Sequence, residues 1–271
     1  MDKKVAFIGA GSMAEAVISG IVQAEILQKE KIVVTNRSNK ERIDRLERRY
    51  DIQSIQDKEK VAADADIVIL ATKPYDLAAA VESIKEYLNQ NQLIISVIAG
   101  ISTDDITALI GNNAPVIRAM PNTSASIGFS ATALSAGKFA GDEHLLEAKA
   151  LFETIGTTVI VDEADMHTVT GISGSGPAYL YYFVEAMEKA AVESGLNKTT
   201  ALELISQTLV GAGEMLKQSG ETATSLREKV TSPGGTTQAG LEALAAGDFQ
   251  KTVQECVKQA RKRSIELGEK K

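Results

Sequence analysis

The sequence predicts a doubly wound parallel α/β sheet followed by an all-α helical domain. Three observations carry that expectation. Short apolar runs alternate with helical patterns up to about residue 160, the βαβ rhythm of a parallel sheet. Runs such as IVIL (67–70) and LIISVI (93–98) are continuously apolar, which suits strands buried on both faces. After Asp162 the strand signals stop and alanine-rich helical segments take over.

In chain order, strands are expected over 5–8, 31–35, 66–71, 93–98 and 116–120, with helices over 12–24, 40–50 and 77–88 between them. Edge strands at 131–134 and 158–161 flank a helix over 143–154. The helical region then reads as segments over 177–194, 198–218, 223–230, 236–246 and 249–267, with Gly195, Gly220 and Gly247 at plausible C-caps. The boundary falls near residue 162, giving a first domain over 1–162 and a helical one over 163–271. Segments such as SQTLVGAGEM carry few bulky side chains and bury their faces poorly alone. The helical domain is therefore expected to pack against a second copy in a two-fold homodimer.

Apolar residues at 44% and charged residues at 24% are ordinary for a soluble globular protein of 271 residues, long enough to bury a real core. A net charge of −7 argues against nucleic acid or an anionic membrane surface as the main partner. No run of eighteen apolar residues is present, so no membrane span is expected. The apolar run after Met1–Lys4 is too short for a secretory signal, and a cytoplasmic protein is expected. The single cysteine, Cys256, excludes an intramolecular disulfide and a cysteine-rich metal site, and is read as packing. His144 sits in a polar helix and is read as solvated. His167 is read as structural, and no metal site is expected.

Gly9-Ala10-Gly11-Ser12-Met13-Ala14 follows the first strand and opens a helix, the GxGxxA form of the dinucleotide fingerprint. Gly9 permits the tight turn, Gly11 the approach of backbone to a pyrophosphate, and Ala14 close helix–strand packing. The sheet is thus of Rossmann type. An NAD site ends its second strand with an acid for the ribose 2′-hydroxyl. Here the residues are Thr35-Asn36-Arg37-Ser38, and an arginine with a serine suits a 2′-phosphate. NADPH is the expected cofactor, with NADH as an alternative. Two further loops, Ala71-Thr72-Lys73-Pro74 and Val97-Ile98-Ala99-Gly100, leave strand C-termini where such sheets bind ligands, and Pro74 favours an extended Lys73. Asn122, after the fifth strand, is a candidate contact to cofactor or substrate.

The stretch VTSPGGTTQAG (230–240) is a second candidate site. Ser232, Pro233, Gly234 and Gly235 make a compact turn, and Thr236 and Thr237 open a helix. Free N–H groups at a helix start beside glycines suit a small anion such as a carboxylate. A threonine hydroxyl in that turn can hydrogen-bond a polar atom beside the anion.

Five stretches, GAGSMA (9–14), ATKP (71–74), AMPNT (119–123), VTGISGSGPAY (169–179) and LREKVTSPGGTTQAG (226–240), resemble the pyrroline-5-carboxylate reductase family over the whole chain. The last of these is the most specific. The resemblance implies reduction of 1-pyrroline-5-carboxylate to L-proline, a dimer through the C-terminal helices and, in many members, assembly of dimers into decamers. Matched by motif position, Thr237 lies near the substrate's ring nitrogen. Ser232, Gly234, Gly235 and Thr236 form the carboxylate cradle, and Val230 and Thr231 lie beside the ring, reaching it from the partner subunit. Ala71, Lys73, Ala99 and Asn122 surround the nicotinamide half. Asp57 aligns with an asparagine of many relatives on the adenosine side, and an acid there is expected to weaken 2′-phosphate binding.

A β-hydroxyacid dehydrogenase shares the glycine spacing of Gly171, Gly174 and Gly176, but its catalytic lysine position is Leu180 here. Alcohol oxidation without a base is disfavoured. A cofactor-sensing protein without turnover does not account for a second, anion-binding site.

Overall fold

The computed structural model describes residues 2–269. The elements of its first part are Val5–Ile8 (β1), Ser12–Gln23 (α1), Ile32–Thr35 (β2), Lys40–Tyr50 (α2), Gln53–Ser54 (β3), Lys58–Ala63 (α3) and Ile67–Leu70 (β4). Leu77–Glu82 (α4), Leu93–Ser96 (β5), Thr103–Ile110 (α5), Val116–Met120 (β6), Ser130–Ala136 (β7), Asp142–Phe152 (α6) and Gly156–Ile160 (β8) follow. Helices then dominate: Met166–Val169 (α7), a π-turn over Thr170–Gly174, Gly176–Glu193 (α8), Lys198–Gln218 (α9), Ala223–Lys229 (α10), Thr236–Ala246 (α11) and Phe249–Glu269 (α12).

Alternate side chains of each apolar strand go to opposite layers. Val5 and Phe7 of β1, Ile67 and Ile69 of β4, and Ile117 and Ala119 of β6 join one core, with α1, α2 and α6 supplying Val17, Ile18, Ile21, Leu46, Leu151 and Phe152. Ala6 and Ile8, Val68 and Leu70, and Val116 join the other, closed by Val61 of α3, Val81 of α4 and Ile106 of α5. The continuous runs are explained by this: both faces of the sheet are covered.

All eight strands form one sheet in the order β3-β2-β1-β4-β5-β6-β7-β8, parallel except for the β6–β7 pair. The order reverses at β1, whose neighbours are β2 and β4. A ligand crevice opens at such a point, beyond the strand C-termini. Only β8 is an edge at that end; β7, expected at the edge, lies between β6 and β8. The helix expected over 77–88 stops at Glu82, where the Ser83 hydroxyl donates to the Ala80 carbonyl at 2.8 Å and a 3₁₀ turn, Lys85–Tyr87, follows. The short elements β3, α3 and α5 lack a periodic signal long enough to read.

By compactness the chain divides into a unit up to Pro177 that takes back the residues from Val257, and a unit Ala178–Cys256. The expected division at 162 marks where strands end. The compact division instead falls inside α8 and α12. In the second unit only Ala201 and Ile205 are buried among the described residues, while Leu180, Tyr181, Tyr182 and Val210 are exposed. Gly195 and Gly220 adopt left-handed backbone, whereas at the end of α11 that conformation falls on Asp248 rather than Gly247.

Candidate active site

In the first unit a cleft of about 630 Å³ opens over the C-terminal ends of β1, β2 and β4. Gly9 closes it at one end, with φ +113°, and its amide donates to the Thr35 carbonyl at 2.9 Å. A Cβ at Gly9 would stand 2.5 Å from the Ala71 carbonyl oxygen, so only glycine lets the β1 and β4 loops meet here. Gly11 caps α1 with no side-chain partner, which leaves first-turn N–H groups of the helix as donors suited to an anion. Thr72 Oγ1 is buried without a hydrogen-bond partner beside this cleft. An orphaned hydroxyl and an uncapped helix start fit a polar, anionic ligand such as a dinucleotide.

Gly9, Ala10, Gly11, Ser12, Asn36, Arg37, Ser38, Ala71, Thr72 and Lys73 all line the cleft. Lys73 is extended, with ψ 152°, ahead of Pro74. The other four expected cofactor residues stand elsewhere. Met13 packs on the core, because the helix turns it inward. Asp57 is the N-cap of α3, accepting from the amides of Glu59 at 3.1 Å and Lys60 at 3.4 Å. Ala99 packs with Met120 and Met166. Asn122 spends its side chain on protein: Oδ1 accepts from the Ser124 amide and Nδ2 donates to the Ser173 carbonyl, both at 3.1 Å.

Sequence reasoning missed Arg42, Lys58, Tyr75 and Asp76, which also line the cleft. Arg42 Nε donates to the Ala10 carbonyl at 2.7 Å and Nη2 to that of Gly11 at 3.1 Å. Glu15 holds the same guanidinium at 2.6 Å and also pairs with Arg45 and Arg49. Arg37 pairs with Asp76 at 3.0 Å. Lys58 Nζ donates to Thr35 Oγ1 at 3.1 Å, and burial lowers its pKa from the ordinary lysine value.

In the second unit the SPGG turn precedes α11. The Gly235 amide donates to the Ser232 carbonyl at 3.0 Å, and the Gly234 amide, at φ +70°, to Gln238 Oε1 at 2.8 Å. A Cβ at Gly235 would meet Ser232 Oγ at 2.5 Å. Two glycine amides expected in the cradle are thus engaged within the turn. Since no side chain caps α11, the amides of Thr236 and Thr237 remain the donors for an anion. The Thr237 and Val230 side chains are exposed. Thr231 turns its hydroxyl to the Arg227 carbonyl at 2.6 Å. Gln238, which braces Gly234 and itself donates to Glu242 at 2.8 Å, is a turn-shaping residue that the motif did not flag.

Back in the first unit, His167 Nδ1 is 2.9 Å from Ser264 Oγ. Burial first, then the charges of Arg118 and Arg261, lowers its pKa, against the opposing Glu163 carboxylate. His144 Nδ1 accepts from the Gly141 amide at 3.0 Å, a helix-start contact rather than a solvated side chain.

A glycine loop opening a helix at the switch point of a doubly wound sheet is the arrangement of a dinucleotide-binding domain, and with the similarities that follow the class is an NAD(P)H-dependent oxidoreductase. Residues 4–100 match the family described as NADP oxidoreductase, coenzyme F420-dependent, and residues 163–267 match pyrroline-5-carboxylate reductase dimerisation. The chain is 48% identical over 267 residues to pyrroline-5-carboxylate reductase 2 of Bacillus subtilis, covering 98% of this chain and 96% of that one. It is 39% identical to the pyrroline-5-carboxylate reductase of Arabidopsis thaliana, with 98% and 96% covered. A solved pyrroline-5-carboxylate reductase from Coxiella burnetii superposes with a TM-score of 0.90 at 32% identity, covering 98% of this chain and 99% of the other. That of Plasmodium falciparum, solved with NADP bound, gives 0.89 at 30%, with 98% of each chain covered. The chain belongs to the pyrroline-5-carboxylate reductase family. Among the described residues no helix is long and apolar enough to cross a membrane.

Proposed function

We propose that this protein reduces 1-pyrroline-5-carboxylate to L-proline, the last step of proline biosynthesis, using NADPH in preference to NADH. The observation that carries the reading is the uncapped start of α11, with Thr236 and Thr237 amides free and the Thr237 side chain exposed, in a chain that also holds the dinucleotide cleft. The bound nicotinamide supplies the hydride. The substrate carboxylate sits on the α11 N-terminus, where the helix dipole favours negative charge. Thr237 Oγ1 orients the ring nitrogen and helps deliver its proton. The C=N bond thereby gains hydride at carbon and a proton at nitrogen, and a secondary amine forms. Little acid–base machinery is required, since most of the acceleration comes from holding the imine carbon in line with the donor.

NADPH preference rests on Asn36, Arg37 and Ser38 in the cleft wall, with no acid at the end of β2. The exposed apolar side chains of the second unit, and its match to a dimerisation family, support a homodimer through the helices. We place this dimer in the cytoplasm. The test mixes purified protein with pyrroline-5-carboxylate and follows reduced-cofactor absorbance, with NADPH and NADH in parallel. Turnover faster with NADPH is expected. Tight cofactor binding without turnover would overturn the reading in favour of a sensor.

A further inference from the structure

Four cationic side chains line the dinucleotide cleft: Arg37, Arg42, Lys58 and Lys73. Two are neutralised in place. Arg37 is paired to Asp76, and Arg42 is held by Glu15 and two loop carbonyls. Lys73 is exposed at the end of β4, with Nζ 5.7 Å from the centre of the Tyr75 ring. Lys58 differs from all three. It is half-buried, lies in the first turn of α3 and forms no ion pair with a carboxylate among the described residues. Its hydrogen-bonding partner is the hydroxyl of Thr35, the last residue of β2. That strand end is where the ribose of a bound dinucleotide is read.

A half-buried ammonium facing a polar cleft without a counter-charge is costly unless a ligand supplies one. A phosphate monoester does so through charge-assisted hydrogen bonds. The neighbouring Asp57 alters the expectation drawn from sequence. Its carboxylate is committed to the amides of α3, while the next residue presents its amine to the cleft. The short segment that carries an acid therefore offers a cation to the ligand.

We infer that Lys58 is a specificity-determining residue that binds the 2′-phosphate of NADPH at the end of β2, with Thr35 positioning its amine. The inference rests on the proposed use of NADPH and adds the residue that enforces it. Arg37 is the outer, solvent-screened contact, and Lys58 is the inner one.

The test titrates full-length protein with adenosine 2′,5′-bisphosphate and with 5′-AMP by calorimetry, for wild type, Lys58→Met and Lys58→Arg. Wild type is expected to bind the bisphosphate more tightly. Lys58→Met is expected to lose about tenfold in bisphosphate affinity while its 5′-AMP affinity moves less than about twofold, and Lys58→Arg to recover most of the loss. In turnover, the ratio of kcat/KM for NADPH over NADH falls by about the same tenfold in Lys58→Met. If wild type itself shows no preference for the bisphosphate, the NADPH reading fails and the inference with it. If wild type prefers it and Lys58→Met keeps that preference, or loses both ligands equally, the inference alone is overturned.

Discussion

Arg42, in the first turn of a strongly charged helix, donates Nε to the carbonyl of Ala10 across 2.7 Å, tying α2 to the glycine loop that follows β1. A second donation reaches the Gly11 carbonyl, and Glu15 holds the guanidinium from the opposite side. The two carbonyls are fixed facing the arginine. The amides of the loop and of the start of α1 are thereby presented to the cleft.

Replacing Arg42 with Met removes both donations while Glu15 keeps Arg45 and Arg49. Hydrogen bonds from charged groups contribute about 1.5–3 kcal/mol each, so roughly a tenfold or greater rise in KM for the cofactor is expected, with kcat little changed. Steady-state kinetics at varied NADPH checks it. An unchanged KM would show that the loop holds its shape without α2.

Thr237→Val removes the hydroxyl and keeps the branched shape at the second residue of α11. If the hydroxyl orients the ring nitrogen and relays its proton, kcat falls by about 10²-fold, at the low end for positioned proton transfer. Cofactor binding, in the other unit, stays as it was. Thr237→Ser should retain most of the rate. Equal turnover in Thr237→Val and wild type would remove this residue from the chemistry.

The sheet and the glycine cleft were legible because each rests on local pattern. Continuous apolar runs mark strands covered on both faces, and Gly9 and Gly11 have the spacing of one tight turn. Arg42 was not legible. It is one of several alike charges in KERIDRLERRY, and only the packing of α2 against α1 selects it. Lys58 was missed for a related reason. Successive residues in a helical turn point about 100° apart, so alignment at Asp57 does not say which neighbour faces the cleft. Asn122 shows the converse: its motif placed it near the ligand, yet its amide is committed to Ser124 and Ser173. In the second unit the turn before α11 was readable, while the engagement of the Gly234 amide by Gln238 depends on a side-chain rotamer that no motif specifies.

Arg118 of β6 is almost completely buried, and its Nη1 donates to Glu163 Oε1 at 2.8 Å. Nε and Nη2 of Arg118 and Oε2 of Glu163 are buried without partners, so the pair carries unmet polar groups besides its charges. Glu163→Ala strands a buried guanidinium and is expected to cost about 3–5 kcal/mol of unfolding free energy. The double variant Arg118→Leu, Glu163→Ala replaces the pair with apolar atoms and should recover a large part of that loss. Denaturant unfolding of the three proteins checks it. A double variant less stable than Glu163→Ala would show that Arg118 stabilises the sheet through contacts other than this ion pair.

His167 gives the fold a dependence on pH whose sign follows from its surroundings. Burial, with the Arg118 and Arg261 charges, favours its neutral form against the pull of Glu163, so its folded pKa lies below the 6.5 of an ordinary imidazole. Between those two values the unfolded chain binds more protons than the folded one, and stability rises with pH. The contribution is complete above about pH 6.5 and is lost as pH falls through that value towards the folded pKa. Wild-type Tm is therefore expected to drop between pH 7 and pH 5.5. His167→Asn, which keeps a hydrogen-bonding group towards Ser264, should flatten that slope while leaving Tm at pH 7.5 nearly unchanged. Thermal melts in low-salt buffer, where the Arg118 and Arg261 fields are least screened, give the clearest reading. A slope as steep in His167→Asn as in wild type would assign the acid lability to other groups.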